Sequence, residues 1–184
     1  PLANSPAVIV FASDHPVSEL GVSAYPREVT PMMVLNLAVG GAAASVLSRL
    51  HSAPLHIVDV GAEPYPAPAA NEHVHWSRVN PRGVVGNLRD SDAMDSTALE
   101  HSLKAGADAV DALPKGTNVL ILGEMGIGNT TPASAIAARL LQCSADEMVG
   151  PGTGVSGEAL QAKCEIVASA LARTEGNSDP FEVM

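Results

Sequence analysis

The stretch Gly123-Glu124-Met125-Gly126-Ile127-Gly128-Asn129-Thr130-Thr131 sets three glycines within six positions beside one carboxylate and two hydroxyls. Glycines let backbone N–H groups come close to a ligand. Before this stretch lies Val119–Leu122, an apolar run with strand character, and after it Ala133–Leu141, rich in alanine and leucine, with helical character. Strand, glycine turn and helix start together predict an anion site, because the first N–H groups of a helix are unpaired and carry about half a positive charge. Thr130 and Thr131 are the N-cap candidates, which would put Pro132 at the first helical position. Glu124, the one charged group here, either caps neighbouring N–H groups, or hydrogen-bonds a sugar hydroxyl or handles a proton beside a bound phosphate. The spacing is neither G-x-x-x-x-G-K-[ST] nor G-x-G-x-x-G, so the pattern alone implies an anion and nothing narrower.

A second glycine cluster, Gly150-Pro151-Gly152-Thr153-Gly154, precedes a helix expected from about Ser156 or Gly157 to Arg173, with Lys163 near its second turn. Two glycine loops and one lysine make a phosphate cradle. Asp14 and His15 directly follow the apolar run Ala7–Ala12. Segments leaving the C-terminal ends of parallel strands line ligand crevices, so both residues are placed for acid–base work, or else form an Asx-type turn with a solvated imidazole. Asp59, near the end of Leu55–Gly61, is either a capped structural acid or a site residue. His73 and His75 are two apart, which suits a metal only on an extended strand, and with no third ligand in view no metal is expected. Arg78 and Arg82 stand out because basic residues are scarce.

These groups need a scaffold, and composition bounds it. The chain has 184 residues, 46% apolar but only 3% aromatic, so its core must be built from Ala, Val, Leu and Ile. One α/β domain over residues 1–184, with helices packed on a parallel sheet, is expected. Residues Gly21–Pro26 and Ala62–Ala70 read as loops. A helix starts at Thr30 or Pro31, a second continues to Leu50, and a third spans Ser96–Leu113 with Leu99, Leu103, Ala107, Val110 and Leu113 expected on the sheet face. The net charge of −10 argues against nucleic acid or an anionic membrane as main partner. Cys143 and Cys164 are isolated, which indicates neither a disulfide framework nor a thiol zinc site. No eighteen-residue apolar run and no basic leader are evident, so a cytoplasmic protein is expected.

Several segments, in this order, resemble one family. They are Ser13-Asp14-His15, Gly21-Val22-Ser23-Ala24-Tyr25-Pro26, Glu28-Val29-Thr30, Gly40-Gly41-Ala42-Ala43, Val58-Asp59-Val60-Gly61, Ala93-Met94, Gly123–Thr131 and Gly152-Thr153-Gly154. Together they resemble the nicotinate-nucleotide:dimethylbenzimidazole phosphoribosyltransferases of cobalamin synthesis. The resemblance implies a Rossmann-like parallel sheet flanked by helices, a homodimer, and small-molecule partners: a nucleotide and an aromatic base. A sheet of few strands leaves apolar faces and edges unburied, so a homodimer or higher homo-oligomer is expected, and no cofactor is expected. The resemblance also implies transfer of phosphoribosyl from nicotinate mononucleotide to 5,6-dimethylbenzimidazole. By motif, Glu124, Gly126 and Gly128 would lie along the nucleotide, Gly152 and Lys163 near its phosphate, and Ser23 and Tyr25 near the benzimidazole. Asn129, Thr130 and Thr153 complete the substrate-binding set, and Glu124, Asp14 and His15 are the catalytic candidates. The chain departs from the family's pattern at Pro16, Met32, Val84-Val85 and Pro151, and the family's C-terminal glutamate base has no counterpart in these residues. The chain is expected to be truncated at both ends relative to the family. A nucleotide-binding remnant, or a hydrolase of ester, phosphodiester or N-glycosidic bonds, are the alternatives.

Overall fold

In the computed structural model, which describes residues 4–62, 64–79, 86–177 and 179–184, the three apolar runs become β1 (Pro6–Ser13), β2 (Leu55–Gly61) and β4 (Val119–Met125). A further strand, β3 (Val74–Arg78), completes a sheet of order β3-β2-β1-β4 whose pairings are all parallel. The helices are α1 (Val29–Ala38), α2 (Ala43–Leu50), α3 (Ser96–Asp111), α4 (Thr130–Leu141), α5 (Ala145–Met148), α6 (Glu158–Arg173) and α7 (Pro180–Val183), with a 3-10 helix at Pro16–Leu20. The expected α/β architecture with a parallel sheet is borne out. Arg82 and the Val84-Val85 pair lie outside the described residues.

The described residues form two compact units. One holds the four strands, α1, α2 and the part of α3 from Glu100 onward; the other holds Asp14–Arg27, the segment ending at Leu99, and everything from Ile127.

In the first unit successive residues of β1 face opposite sides of the sheet, as strand geometry requires. Val8, Val10 and Ile57 pack with Val34 and Leu37 of α1, while Ile9 and Val58 pack with Ala105 and Ala109 of α3. Ile9, Leu55, Ile57 and Val58 are at most 1% exposed, and each such burial contributes about 1.5–3 kcal/mol. The α1 face follows helical spacing through Thr30, Val34, Leu37 and Ala38. In α3 the expected face is corrected: Leu103 and Val110 are about half exposed, and the buried stripe is Ala98, Ala105 and Ala109. Alanine lets a helix backbone come closer to β-branched strand residues than leucine would, so the small face wins. The apolar segment Val29–Leu50 is broken at Gly40, where φ is 87°, into helices of 10 and 8 residues. Each is shorter than the roughly 20 residues a membrane crossing needs.

In the second unit, Ala135 of α4, Ala145 of α5, and Val167 and Ala170 of α6 form one apolar cluster, and Val17, Val22 and Ile166 form another. A capping box between Ser144 and Glu147 starts α5, each residue bonding the other's backbone N–H.

Two local readings change. The strand preceding the glycine turn runs on through Gly123, Glu124 and Met125, so Glu124 is a strand residue rather than a loop residue. At Gly123 a Cβ would crowd Val10 Cγ2 at 3.3 Å, so a glycine inside the strand leaves room for that neighbour. The N-cap of α4 is Asn129, not a threonine, and Pro132 is the third helical residue. The missed strand β3 has polar, aromatic and basic residues with no apolar run to mark it.

Candidate functional site

Parallel pairing brings the C-terminal ends of the strands to one edge of the sheet. Phe11 pairs with Glu124, Ala12 with both Asp59 and Met125, and Asp59 with Arg78. Glu124 is exposed there, and desolvation by nearby protein raises its pKa above the usual carboxylate value.

Asp59, 1% exposed, has the bonding of the capped structural acid of the two readings. Its Oδ1 accepts the N–H groups of Gly61 (3.1 Å) and Ala62 (2.9 Å), and its Oδ2 accepts the Tyr65 hydroxyl (2.6 Å) and Arg78 Nε–H (2.9 Å). Trp76 Nε1–H donates to the Tyr65 oxygen at 3.1 Å, and the Arg78 guanidinium lies 4.1 Å from the Tyr65 ring centroid. Burial and the Asp59 bond push the Tyr65 hydroxyl up in pKa. The network pins the loop after β2 to the end of β3.

In the second unit the two glycine loops and Lys163 come together. Lys163 is fully buried on α6. Its Nζ donates to Thr130 Oγ1 at 2.7 Å and to the Gly150 carbonyl at 3.0 Å. An ammonium has three donors, and among the described residues only these two acceptors are in place, both neutral. Burial lowers its pKa, as it must for a cation removed from water. A Cβ at Gly152 would fall 2.8 Å from Thr130 Oγ1 and 3.1 Å from Lys163 Nζ, and φ there is 53°, so only glycine fits. The Pro151 carbonyl accepts the N–H groups of Gly154 and Val155, both at 3.0 Å, and closes the turn. At the start of α4 the Thr131 hydroxyl is fully buried with no partner among the described residues. Gly128, with φ at 89°, lets the chain pass Ser18, whose Cα would be 3.3 Å from a Cβ there. Asn129 makes no side-chain capping bond.

Asp14 is buried and faces Arg27 Nε at 3.6 Å, while Arg27 also donates to Glu19 at 3.1 Å. Buried pairing of this kind fixes a charge in place, which suits an organising role better than proton transfer. His15 begins the 3-10 helix without a side-chain capping bond, and burial lowers its pKa to about 4, so it is neutral at pH 7. Between these residues and Arg27 runs the loop of Ser23 and Tyr25. Ser23 Oγ lies 3.0 Å from Thr153 Oγ1, Ala24 N–H donates to Thr153 Oγ1 at 3.1 Å, and Tyr25, 55% exposed, donates its N–H to Ser23 Oγ at 3.2 Å. The structure thus gathers Ser23, Tyr25 and Thr153 in one loop pair and Thr130, Gly152 and Lys163 in one cradle.

Glycine loops, a buried lysine and parallel strand ends are compatible with anion binding, and comparison with known proteins places the chain in a family. The family model described as Phosphoribosyltransferase matches residues 1–184. The nicotinate-nucleotide–dimethylbenzimidazole phosphoribosyltransferase of Pseudomonas savastanoi pv. phaseolicola is 43% identical over 183 residues, covering 98% of this chain and 51% of that protein. The chain belongs to the nicotinate-nucleotide–dimethylbenzimidazole phosphoribosyltransferase family. The Deinococcus radiodurans phosphoribosyltransferase of the same name is also 43% identical, with 97% of this chain and 49% of that protein covered. Among solved structures, CobT from Thermus thermophilus superposes with a TM-score of 0.88 at 40% identity, over 100% of this chain and 54% of that one. The chain spans about half the length of the phosphoribosyltransferases it matches.

Sequence reasoning missed the full reach of the Asp59 network, because Tyr65 sits in a proline-rich stretch that shows no pattern. The scarcity of basic residues was the signal that singled out Arg78. No group of three metal-ligating side chains occurs among the described residues.

Proposed function

We propose that this chain binds nicotinate mononucleotide through the cradle around Lys163 and serves phosphoribosyl transfer from it to 5,6-dimethylbenzimidazole, giving α-ribazole phosphate and nicotinate. The observation that carries the reading is Lys163: a buried ammonium with one donor to spare beside a glycine that only an absent Cβ permits. Such a group is costly to bury unless an anion completes it.

In the reaction the C1′–nitrogen bond to nicotinate breaks, its electron pair leaving with the pyridine ring. A benzimidazole nitrogen closes a new bond to C1′, and one proton leaves the benzimidazole. The transition state is oxocarbenium-like, which a carboxylate stabilises, the role that the resemblance gives Glu124; the cradle donors hold the phosphate in place. His15, neutral at pH 7, is a candidate to receive the proton. Asp14 holds Arg27 and thereby the ends of the segment carrying Ser23 and Tyr25, the residues assigned to the base. The nucleotide substrate goes with a cytoplasmic site of action. Exposed Leu120, Ile121 and Leu122 on the edge strand β4 favour association into a homo-oligomer.

The test is to incubate the protein with nicotinate mononucleotide and 5,6-dimethylbenzimidazole and to follow both products by chromatography. Formation of α-ribazole phosphate, slowed about 100-fold or more in Glu124→Gln with nucleotide affinity retained, is expected. Neither nucleotide binding nor product would overturn the proposal.

A further inference from the structure

Thr153 sits between two glycines of positive φ, Gly152 at 53° and Gly154 at 99°, in the loop that carries the phosphate cradle. Gly152, immediately before it, touches the Lys163–Thr130 pair at a distance no side chain could share. Yet the Thr153 hydroxyl serves the other loop. Its oxygen accepts Ala24 N–H at 3.1 Å and lies 3.0 Å from Ser23 Oγ, and Ser23 Oγ in turn accepts Tyr25 N–H at 3.2 Å. Each hydroxyl therefore has a backbone N–H on one lone pair. The two share a single hydrogen bond between them, which uses one hydroxyl hydrogen and leaves the other for a ligand. Three successive residues of the Ser23–Tyr25 loop are thus oriented by one side chain of the phosphate loop.

We infer that Thr153 is a positioning residue that couples the two subsites: an anion seated in the cradle fixes Gly152, Gly152 fixes Thr153, and Thr153 sets Ser23 and Tyr25 for the aromatic base. The inference rests on the reading above for the identity of the base and the anion. It moves Thr153 from direct substrate contact to a link between contacts. By thermodynamic reciprocity, an anion that favours the ordered loop must strengthen base binding by the same factor as the base strengthens anion binding. The linked pair gives that coupling a physical path, one side chain long.

The experiment uses ligands that cannot react with one another. The affinity for 5,6-dimethylbenzimidazole is measured by calorimetry without and with saturating inorganic phosphate, in the unaltered protein and in Thr153→Val and Thr153→Ser. Phosphate is expected to tighten base binding about fivefold or more in the unaltered protein. Thr153→Ser keeps the hydroxyl and keeps the effect. Thr153→Val, nearly the same shape without the hydroxyl, brings the ratio close to one while phosphate affinity alone stays the same. A merely structural role would lower both affinities and leave the ratio intact. If both ligands bind but show no coupling, or if Thr153→Val couples them as well as the unaltered protein, the inference is overturned and the proposed function stands. If either ligand fails to bind the unaltered protein, the proposed function falls and the inference falls with it.

Discussion

Both units bury a polar cluster, and the two clusters differ in how far their hydrogen-bonding capacity is used. Around Asp59 the carboxylate accepts four donors, Tyr65 both gives and receives, and Arg78 is bonded through Nε and Nη2 and stacked against Tyr65. A carboxylate offers about four acceptor sites, so nothing is left for a guest. Around Lys163 the ammonium has two of its three donors occupied, and the Thr131 hydroxyl has no partner among the described residues. Buried polar groups are normally satisfied, so unfilled capacity beside a glycine of positive φ points to a ligand. On the proposed function, saturation separates a scaffold from a site even where both are buried and both contain charge.

The largest expected effect lies on the saturated side. Asp59→Ala strands an arginine, a phenol and two N–H groups, and should destabilise the fold by about 3–5 kcal/mol. For a chain of this size that is about 10 °C in melting midpoint, readable by calorimetry, with nucleotide affinity unchanged. Loss of binding in a protein that still melts cooperatively would put Asp59 in the site and end the contrast.

A smaller effect lies in pH. Burial lowers the Lys163 pKa by disfavouring its charge, and a phosphate bound there as proposed would raise it again. Affinity is therefore highest while the free lysine is protonated and falls as pH rises through its lowered pKa, at less alkaline pH than an ordinary lysine would give. Titrations upward from about pH 7, where a nucleotide phosphate is already mostly dianionic, should show that decline. A flat profile through the alkaline range would remove the ammonium from the binding step.

The smallest effect sets the baseline. Arg173 and Asp92 pair at 2.7 Å on the surface, with Asp92 79% exposed, so Asp92→Asn should change stability by less than about 1 kcal/mol and leave binding alone.

How much of this was legible in the sequence follows the same division. The apolar runs of β1, β2 and β4, the glycine turns and Lys163 were readable because each carries its own local signal: periodicity, positive-φ residues, a cation in an acidic chain. The α3 face was misread because the choice between a leucine stripe and an alanine stripe depends on how near the sheet comes, which is a tertiary fact. The strand β3 and the reach of Tyr65 were hidden because pairing partners make them, not composition. Thr153 was legible as part of a glycine loop, but its bond to Ser23 spans 130 positions and no local pattern announces it.

The most direct test of the contrast is calorimetric titration of nicotinate mononucleotide into the unaltered protein and into Lys163→Met, which keeps the side chain's length without its charge. Losing a charge-assisted bond of about 1.5–3 kcal/mol predicts affinity lower by roughly 10- to 100-fold, with the melting midpoint held or raised. Equal affinity in the two proteins would contradict the assignment of the Lys163 cradle as the phosphate site.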